Sequence, residues 1–227
     1  MMAARVDVRV LMLILCFLFC GNVVSCPETF RNKMASFSKQ RGLKIVHQNI
    51  RGLQSNFNLL CELVERNDFD IITLSETHLL NSSYNDNNSL FEIPNYTFIK
   101  RNRNNGKGGG VAVYIKTNLK WERRQDLETD SVECICLQIF EKNAKSFLVT
   151  VFYRPPSGSI YLSENFNELF SNLLATIDLT SLELILLGDA NVNYAKKSEN
   201  KDFKISLSIK GYKRALQKGS GTKGVPR

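Results

Sequence analysis

A chain of 227 residues, 43% hydrophobic and 23% charged, has the composition of a globular protein and the length for one domain with a sizeable core. Two histidines and the lack of any Cys-x-x-Cys pair argue against a structural zinc site. The net charge of +8 is unevenly spread: from Lys196 onward ten Lys/Arg face only Glu199 and Asp202, so the rest of the chain is balanced apart from a basic loop at Lys100, Arg101, Arg103 and Lys107. Such a tail suits attraction to nucleic acid and equally suits a solvated end.

Residues 1–25 have the pattern of a secretory leader. Arg5 and Arg9 precede a continuous apolar run, Val10 to Cys20, and small Val23 and Ser25 stand before a plausible cut at Cys26. The run is too short to span a bilayer, so no stable membrane anchor is expected. The alternative is a foreign segment joined to the domain. A functional leader places the chain in the secretory pathway and makes Asn81-Ser82-Ser83, Asn87-Asn88-Ser89 and Asn95-Tyr96-Thr97 formal glycosylation sites. Residues 26–42 read as a linker, residues 43–195 as the domain, and residues 196–227 as the basic tail.

Within the domain, Leu43 to Gln48 is an apolar first strand. Leu59, Leu60, Leu63 and Val64 fall on one helical face between Asn56 and Asn67. Phe69 to Leu74 is nearly continuous in apolar residues, as in a strand buried on both faces. Leu80 to Asn95 is an Asn/Ser-rich loop. Tyr96–Lys100 and Val111–Lys116 predict one hairpin, and Val132–Phe140 with Ser146–Tyr153 another. Cys134 and Cys136 share a strand face and suit core packing. Phe166, Leu169, Phe170, Leu173 and Leu174 mark an amphipathic helix, Leu184 to Leu187 a central strand, and Phe203 to Ile209 a short helix. Hairpins mixed with helix-alternating strands predict an α/β protein with mixed sheets. The glycines between Gly106 and Gly110 lack phosphate-loop spacing and precede a strand, which fits a hairpin turn.

Several polar residues stand at the C-terminal ends of these apolar runs. Glu76 closes the run Ile71 to Ser75, where a carboxylate is costly unless paired or metal-bound. With Asn49 and Asp189 at equivalent strand ends, a Mg²⁺ site becomes the favoured reading, because Mg²⁺ needs only one or two protein carboxylates plus water and phosphate oxygens. Asp189 and Asn191 flank Ala190 and face the same way if extended. The aspartate suits orienting or deprotonating a water, and the asparagine amide suits a phosphate oxygen, although an Asx turn explains the pair equally well. Tyr153 can offer its phenol to a phosphoryl oxygen. Arg154 is suited to phosphate, and the following Pro155 and Pro156 suggest a rigid turn. Arg51, Lys100, Arg101 and Arg103 are the other candidates for contact with nucleic acid. His47 is read as structural, one strand face away from the neighbours of Asn49.

Five motifs in fixed order then resemble the endonuclease/exonuclease/phosphatase superfamily, most closely the endonuclease domain of non-LTR (LINE-type) retrotransposons. They are Ile45-Val46-His47-Gln48-Asn49-Ile50-Arg51-Gly52, Asp70-Ile71-Ile72-Thr73-Leu74-Ser75-Glu76-Thr77-His78, Gly108-Gly109-Gly110-Val111-Ala112-Val113-Tyr114-Ile115, Val151-Phe152-Tyr153-Arg154-Pro155-Pro156 and Leu187-Gly188-Asp189-Ala190-Asn191. The resemblance implies a four-layer α/β sandwich of two mixed sheets flanked by helices. It implies Mg²⁺-dependent hydrolysis of phosphodiesters, with Mn²⁺ as a substitute and DNA as the partner. By the same resemblance Asn49 and Glu76 hold the metal, Tyr153 contacts the scissile phosphate, Asp189 positions the attacking water and Asn191 helps bind the phosphate. His78 accompanies the glutamate. The retroelement resemblance points to the nucleus or cell interior, against the leader.

The chain departs from the family after Asn193. The family's Ser-Asp-His-like segment has no counterpart, since no histidine follows His78. The expectation is a domain lacking its last strands, with impaired catalysis. A non-catalytic nucleic-acid-binding remnant and a secreted DNase-like nuclease are the alternatives.

Overall fold

The computed structural model of the protein describes residues 10–15, 42–80, 88–104, 106–142 and 144–192. The sequons at Asn81 and Asn87, the expected helix Phe203–Ile209, the basic tail and Cys26 lie outside them.

Among the described residues nine strands and two α-helices follow in order: β1 (Val10–Leu15), β2 (Leu43–Asn49), α1 (Leu53–Glu65), β3 (Ile71–Ser75), β4 (Tyr96–Arg101), β5 (Val111–Lys116), β6 (Lys120–Arg123), β7 (Glu133–Phe140), β8 (Phe147–Tyr153), α2 (Phe166–Asp178) and β9 (Glu183–Asp189). One sheet has the order β1-β2-β3-β5-β4 and the other β6-β7-β8-β9. Both are mixed. β1, β2 and β3 run parallel while β5 and β4 are antiparallel; β6, β7 and β8 are antiparallel while β8 and β9 are parallel. Residues 10–15 of the apolar run form a strand at the end of the first sheet, paired from Val10 opposite Leu43 to Leu15 opposite Gln48. Among the described residues no helix is long and apolar enough to cross a membrane.

Strand parity builds the layers. Ile45 and Ile71 face Val149, Val151 and Leu187 in the core between the sheets. Their neighbours Val46, Ile72 and Leu74 face outward onto Leu53, Leu60 and Val64 of α1. On the far side Cys134, Cys136, Leu148 and Phe152 meet Phe170, Leu173, Leu174 and Ile177 of α2. The result is the helix–sheet–sheet–helix sandwich that the motifs imply, with both cysteines in the core as expected.

Element boundaries shift where tertiary contacts outweigh local pattern. Helix α1 begins at Leu53 rather than Asn56, because the Leu53 N–H is taken by the Thr77 carbonyl (2.8 Å) and its side chain is fully buried. The loop before β4 contains a 3-10 turn, Asn88–Phe91, held by burial of Phe91 against Phe57 and Phe98 and by the Tyr114 hydroxyl on the Phe91 carbonyl (2.9 Å). Strand β6 carries no apolar run; Lys120 to Arg123 alternate exposed and half-buried along an edge, so composition gives no strand signal there.

Candidate active site at the strand ends

The same parity fixes where the polar strand-end residues point. Asn49 has the parity of Ile45, Tyr153 that of Val151, and Asp189 that of Leu187, so all three face the space between the sheets. Asn49 lies opposite Ser75, and Tyr153 opposite Asp189, in the ladders. The inward face of each sheet therefore ends in polar groups at one rim.

These groups are directly connected. The Asn49 amide donates to Asp189 Oδ2 (2.7 Å), which joins the two sheets. Asn49 Oδ1 accepts the Arg51 N–H (3.2 Å). Asp189 Oδ1 accepts the Asn191 N–H (2.9 Å), and the Asn191 amide donates to the Arg154 carbonyl (2.9 Å). The Asp-x-Asn pair is thus an Asx-type turn that also fixes the carboxylate of Asp189. The Tyr153 hydroxyl donates to Glu76 Oε1 (3.4 Å), and His78 Nε2 stands 3.7 Å from Glu76 Oε2. Burial first, then the carboxylates of Glu76 and Asp189, push the Tyr153 phenol well above its usual range. It stays protonated and remains a donor.

The glutamate loop is held in an unusual backbone conformation. Glu76 and His78 both have φ of 55°, in the left-handed region that non-glycine residues seldom adopt. Backbone bonds hold the loop from both sides: Gly52 N–H to the Glu76 carbonyl (2.8 Å), Leu53 N–H to Thr77, and the Thr77 and His78 N–H groups to the carbonyls of Gly110 (3.3 Å) and Gly109 (2.9 Å). Strain of this kind persists only where the surroundings over-determine it. Here the surroundings set the direction of the Glu76 side chain.

The remaining expected residues separate into groups. Arg51 is exposed at the rim, and Lys100 is half-buried on β4. Arg101 is occupied by Glu128, Asp130 and the Thr129 and Cys134 carbonyls. Arg103 is ion-paired to Glu133 (2.7 Å). Arg154 is buried, donating to the Pro155 and Ala190 carbonyls and covering the Phe166 ring. Arg101, Arg103 and Arg154 are therefore turned to protein partners. His47 shares the parity of Asn49, opposite to its neighbours Gln48 and Ile50, and sits deeper in the sandwich, with Nδ1 3.0 Å from the Thr73 hydroxyl. Burial lowers its pKa to about 4, so the ring is neutral at physiological pH.

Sequence reasoning missed Glu133. Its Oε1 takes Arg103 and its Oε2 takes the Gly110 N–H (2.6 Å), beside the glutamate loop. The available signal was a lone carboxylate opening the apolar run of β7.

A divalent cation fits the chemistry of the rim. Asn49 and Glu76 offer hard oxygen donors, and Glu76 retains 19% side-chain exposure. Among the described residues no group of three or more His, Cys, Asp or Glu is placed to hold a metal by itself. A cation here would need water and substrate oxygens as well, which is the regime of Mg²⁺ rather than Zn²⁺.

Comparison with known proteins bears on the family and the fold. The Endonuclease/Exonuclease/phosphatase family matches residues 46–198. Among solved structures, the endonuclease domain of TRAS1, a telomere-specific non-LTR retrotransposon, superposes with a TM-score of 0.54 at 14% identity, covering 74% of this chain and 71% of that one. The AP endonuclease LMAP from Leishmania major gives 0.60 at 18% identity over 74% and 65%. A 3′ phosphatase from Neisseria, NExo, bound to a product DNA hairpin, gives 0.53 at 14% over 75% and 72%. No curated protein matches the chain.

Proposed function

Since the chain belongs to the endonuclease/exonuclease/phosphatase family, we propose that its strand-end cluster is the active site of a Mg²⁺-dependent DNA endonuclease of retrotransposon origin. The observation that carries the reading is the hydrogen bond between Asn49 and Asp189, which joins the ends of the two sheets into one rim.

The roles follow from the donors and acceptors on that rim. Asn49 and Glu76 would hold the divalent cation, which neutralises charge on the phosphoryl oxygens when bound. Asp189, its two oxygens fixed by Asn49 and Asn191, orients a water and accepts its proton as the water attacks phosphorus; the P–O bond to the leaving ester oxygen breaks, and that oxygen takes its proton from solvent. Tyr153 donates from a phenol that stays protonated, first to Glu76 and then to a phosphoryl oxygen as negative charge builds. Asn191 has one amide proton on the Arg154 carbonyl, which leaves the second for a substrate oxygen. Arg51, exposed beside Asn49, suits a neighbouring backbone phosphate.

DNA as substrate is supported by the endonucleases and the DNA-bound phosphatase of the same fold. Retrotransposon origin is supported by the LINE-like wording of the five motifs. The test is hydrolysis of a duplex oligonucleotide and of a phosphomonoester by the purified chain, with Mg²⁺, Mn²⁺ or a chelator. Strand cleavage that requires the cation is the expected result. Activity on the monoester alone, or cleavage that persists in the chelator, overturns the reading.

A further inference from the structure

The glycine-rich turn has no phosphate-loop spacing and finds its explanation elsewhere. A Cβ on Gly109 would collide with the Arg103 guanidinium and approach Glu133 Oε2 to 2.6 Å, and a Cβ on Gly106 would collide with the Tyr161 ring. Both glycines also have positive φ, 64° and 95°. The turn is therefore shaped to close over one buried ion pair, Arg103 with Glu133, beside Tyr161. That pair lies against the candidate active site on two sides. The Arg103 guanidinium stacks between two rings, 4.4 Å from the centroid of Tyr161 and 5.8 Å from that of Tyr153. Glu133 is the ladder partner of Tyr153, and its second oxygen holds the Gly110 N–H, whose carbonyl in turn holds Thr77 next to Glu76.

We propose that Arg103 and Glu133 are positioning residues for the reaction, setting the Tyr153 ring and the Glu76 loop in one register. The inference rests on the function proposed above, and it concerns residues that need not touch substrate. The physical argument is about where the guanidinium charge goes. An unpaired arginine near Glu76 and Asp189 would compete with a cation for their oxygens. Glu133 takes that charge at 2.7 Å with only 8% of the Arg103 side chain exposed, and the guanidinium carbon stays over the Tyr153 ring, 5.8 Å from its centroid. A cation over the ring face attracts the ring and holds the phenol in place. Partners that orient a functional group in this way typically contribute ten- to a hundredfold in activity.

The experiment is a double-mutant cycle read on DNA cleavage, with Arg103→Met, Tyr153→Phe and the double variant, alongside Arg103→Lys and Glu133→Gln as gentler changes. Circular dichroism confirms folding. Arg103→Met is expected to lower kcat roughly tenfold with little change in KM, and to add nothing once Tyr153 is Phe. Losses that multiply in the double variant, or a folded Arg103→Met with full kcat, overturn the proposal. A second readout does not depend on activity: the ¹³Cζ signal of Tyr153 in tyrosine-labelled protein, identified by its loss in Tyr153→Phe. It should move in Arg103→Met and, less, in Glu133→Gln, while tyrosines other than Tyr161 stay in place. An unmoved Tyr153 signal overturns the positioning role. A moved signal in a protein that cleaves nothing upholds the coupling and overturns the assigned reaction.

Discussion

The two ends of the strands β2, β3 and β5 carry polar clusters of opposite character. At one end Lys44 and Lys116 meet Asp68 and Asp70: Lys116 Nζ lies 3.0 Å from Asp70, Lys44 Nζ lies 3.8 Å from Asp68, and the Lys44 N–H donates to Asp70 (2.8 Å). The charges there are matched. Hydrogen bonding to Lys116 lowers the pKa of Asp68. Burial alone would lower that of Lys116, but its bonds to Asp68 and Asp70 raise it. At the other end Glu76 and Asp189 are met by a carboxamide, a phenol, a backbone N–H and a histidine ring. Of the arginines near this rim, Arg103 is paired with Glu133 and Arg154 is turned to backbone carbonyls. At one sheet end the charges cancel within the protein; at the other the two carboxylates have no lysine or arginine side chain among these partners, which is the arrangement the proposed cation site would use.

That contrast is broken most strongly at Asp189. Asp189→Ala should reduce cleavage by about a hundredfold to ten-thousandfold, measured as kcat on duplex DNA at saturating Mg²⁺, with the fold retained by circular dichroism. Glu76→Gln should act on the cation as well as the rate, raising the Mg²⁺ concentration for half-maximal cleavage by roughly tenfold or more. The third prediction concerns His47, between the two ends. Its pKa is about 4 in the folded chain and 6.5 in the unfolded one, so between those values the unfolded chain binds the proton and the folded chain does not. Stability should therefore fall as pH drops from 6.5 to 4, by about 3 kcal/mol in urea unfolding, and His47→Gln should remove that part of the slope. The smallest effect is expected at the matched end. Asp68 is 75% exposed, so Lys116→Met should cost only about 1 kcal/mol of stability and leave kcat unchanged.

Much of the rim was legible because it depends on strand parity and on nothing more distant. Asn49, Glu76, Tyr153 and Asp189 each end an apolar run, and counting in twos from the core residues puts three of them on the inward face. Mixed sheets were legible from the alternation of hairpins and helices, while the four-layer order came from the resemblance of the five motifs. The linkage between Arg103 and Glu133 was not legible, since it joins residues 30 positions apart, one just past β4 of the first sheet and the other on β7 of the second. Nor did charge reveal the setting of Arg101 and Arg154. A basic residue beside a phosphate-like motif looks the same in sequence whether it faces solvent or, like Arg154, is 4% exposed against backbone carbonyls. His47 was read as structural, and its burial beside Thr73 agrees with that reading.

The most direct test is nicking of supercoiled plasmid by the full chain with Mg²⁺, run beside Asp189→Ala and Lys116→Met. The account predicts cation-dependent nicking that Lys116→Met keeps and Asp189→Ala loses. Folded protein that never nicks, or nicking that survives in Asp189→Ala, would contradict it.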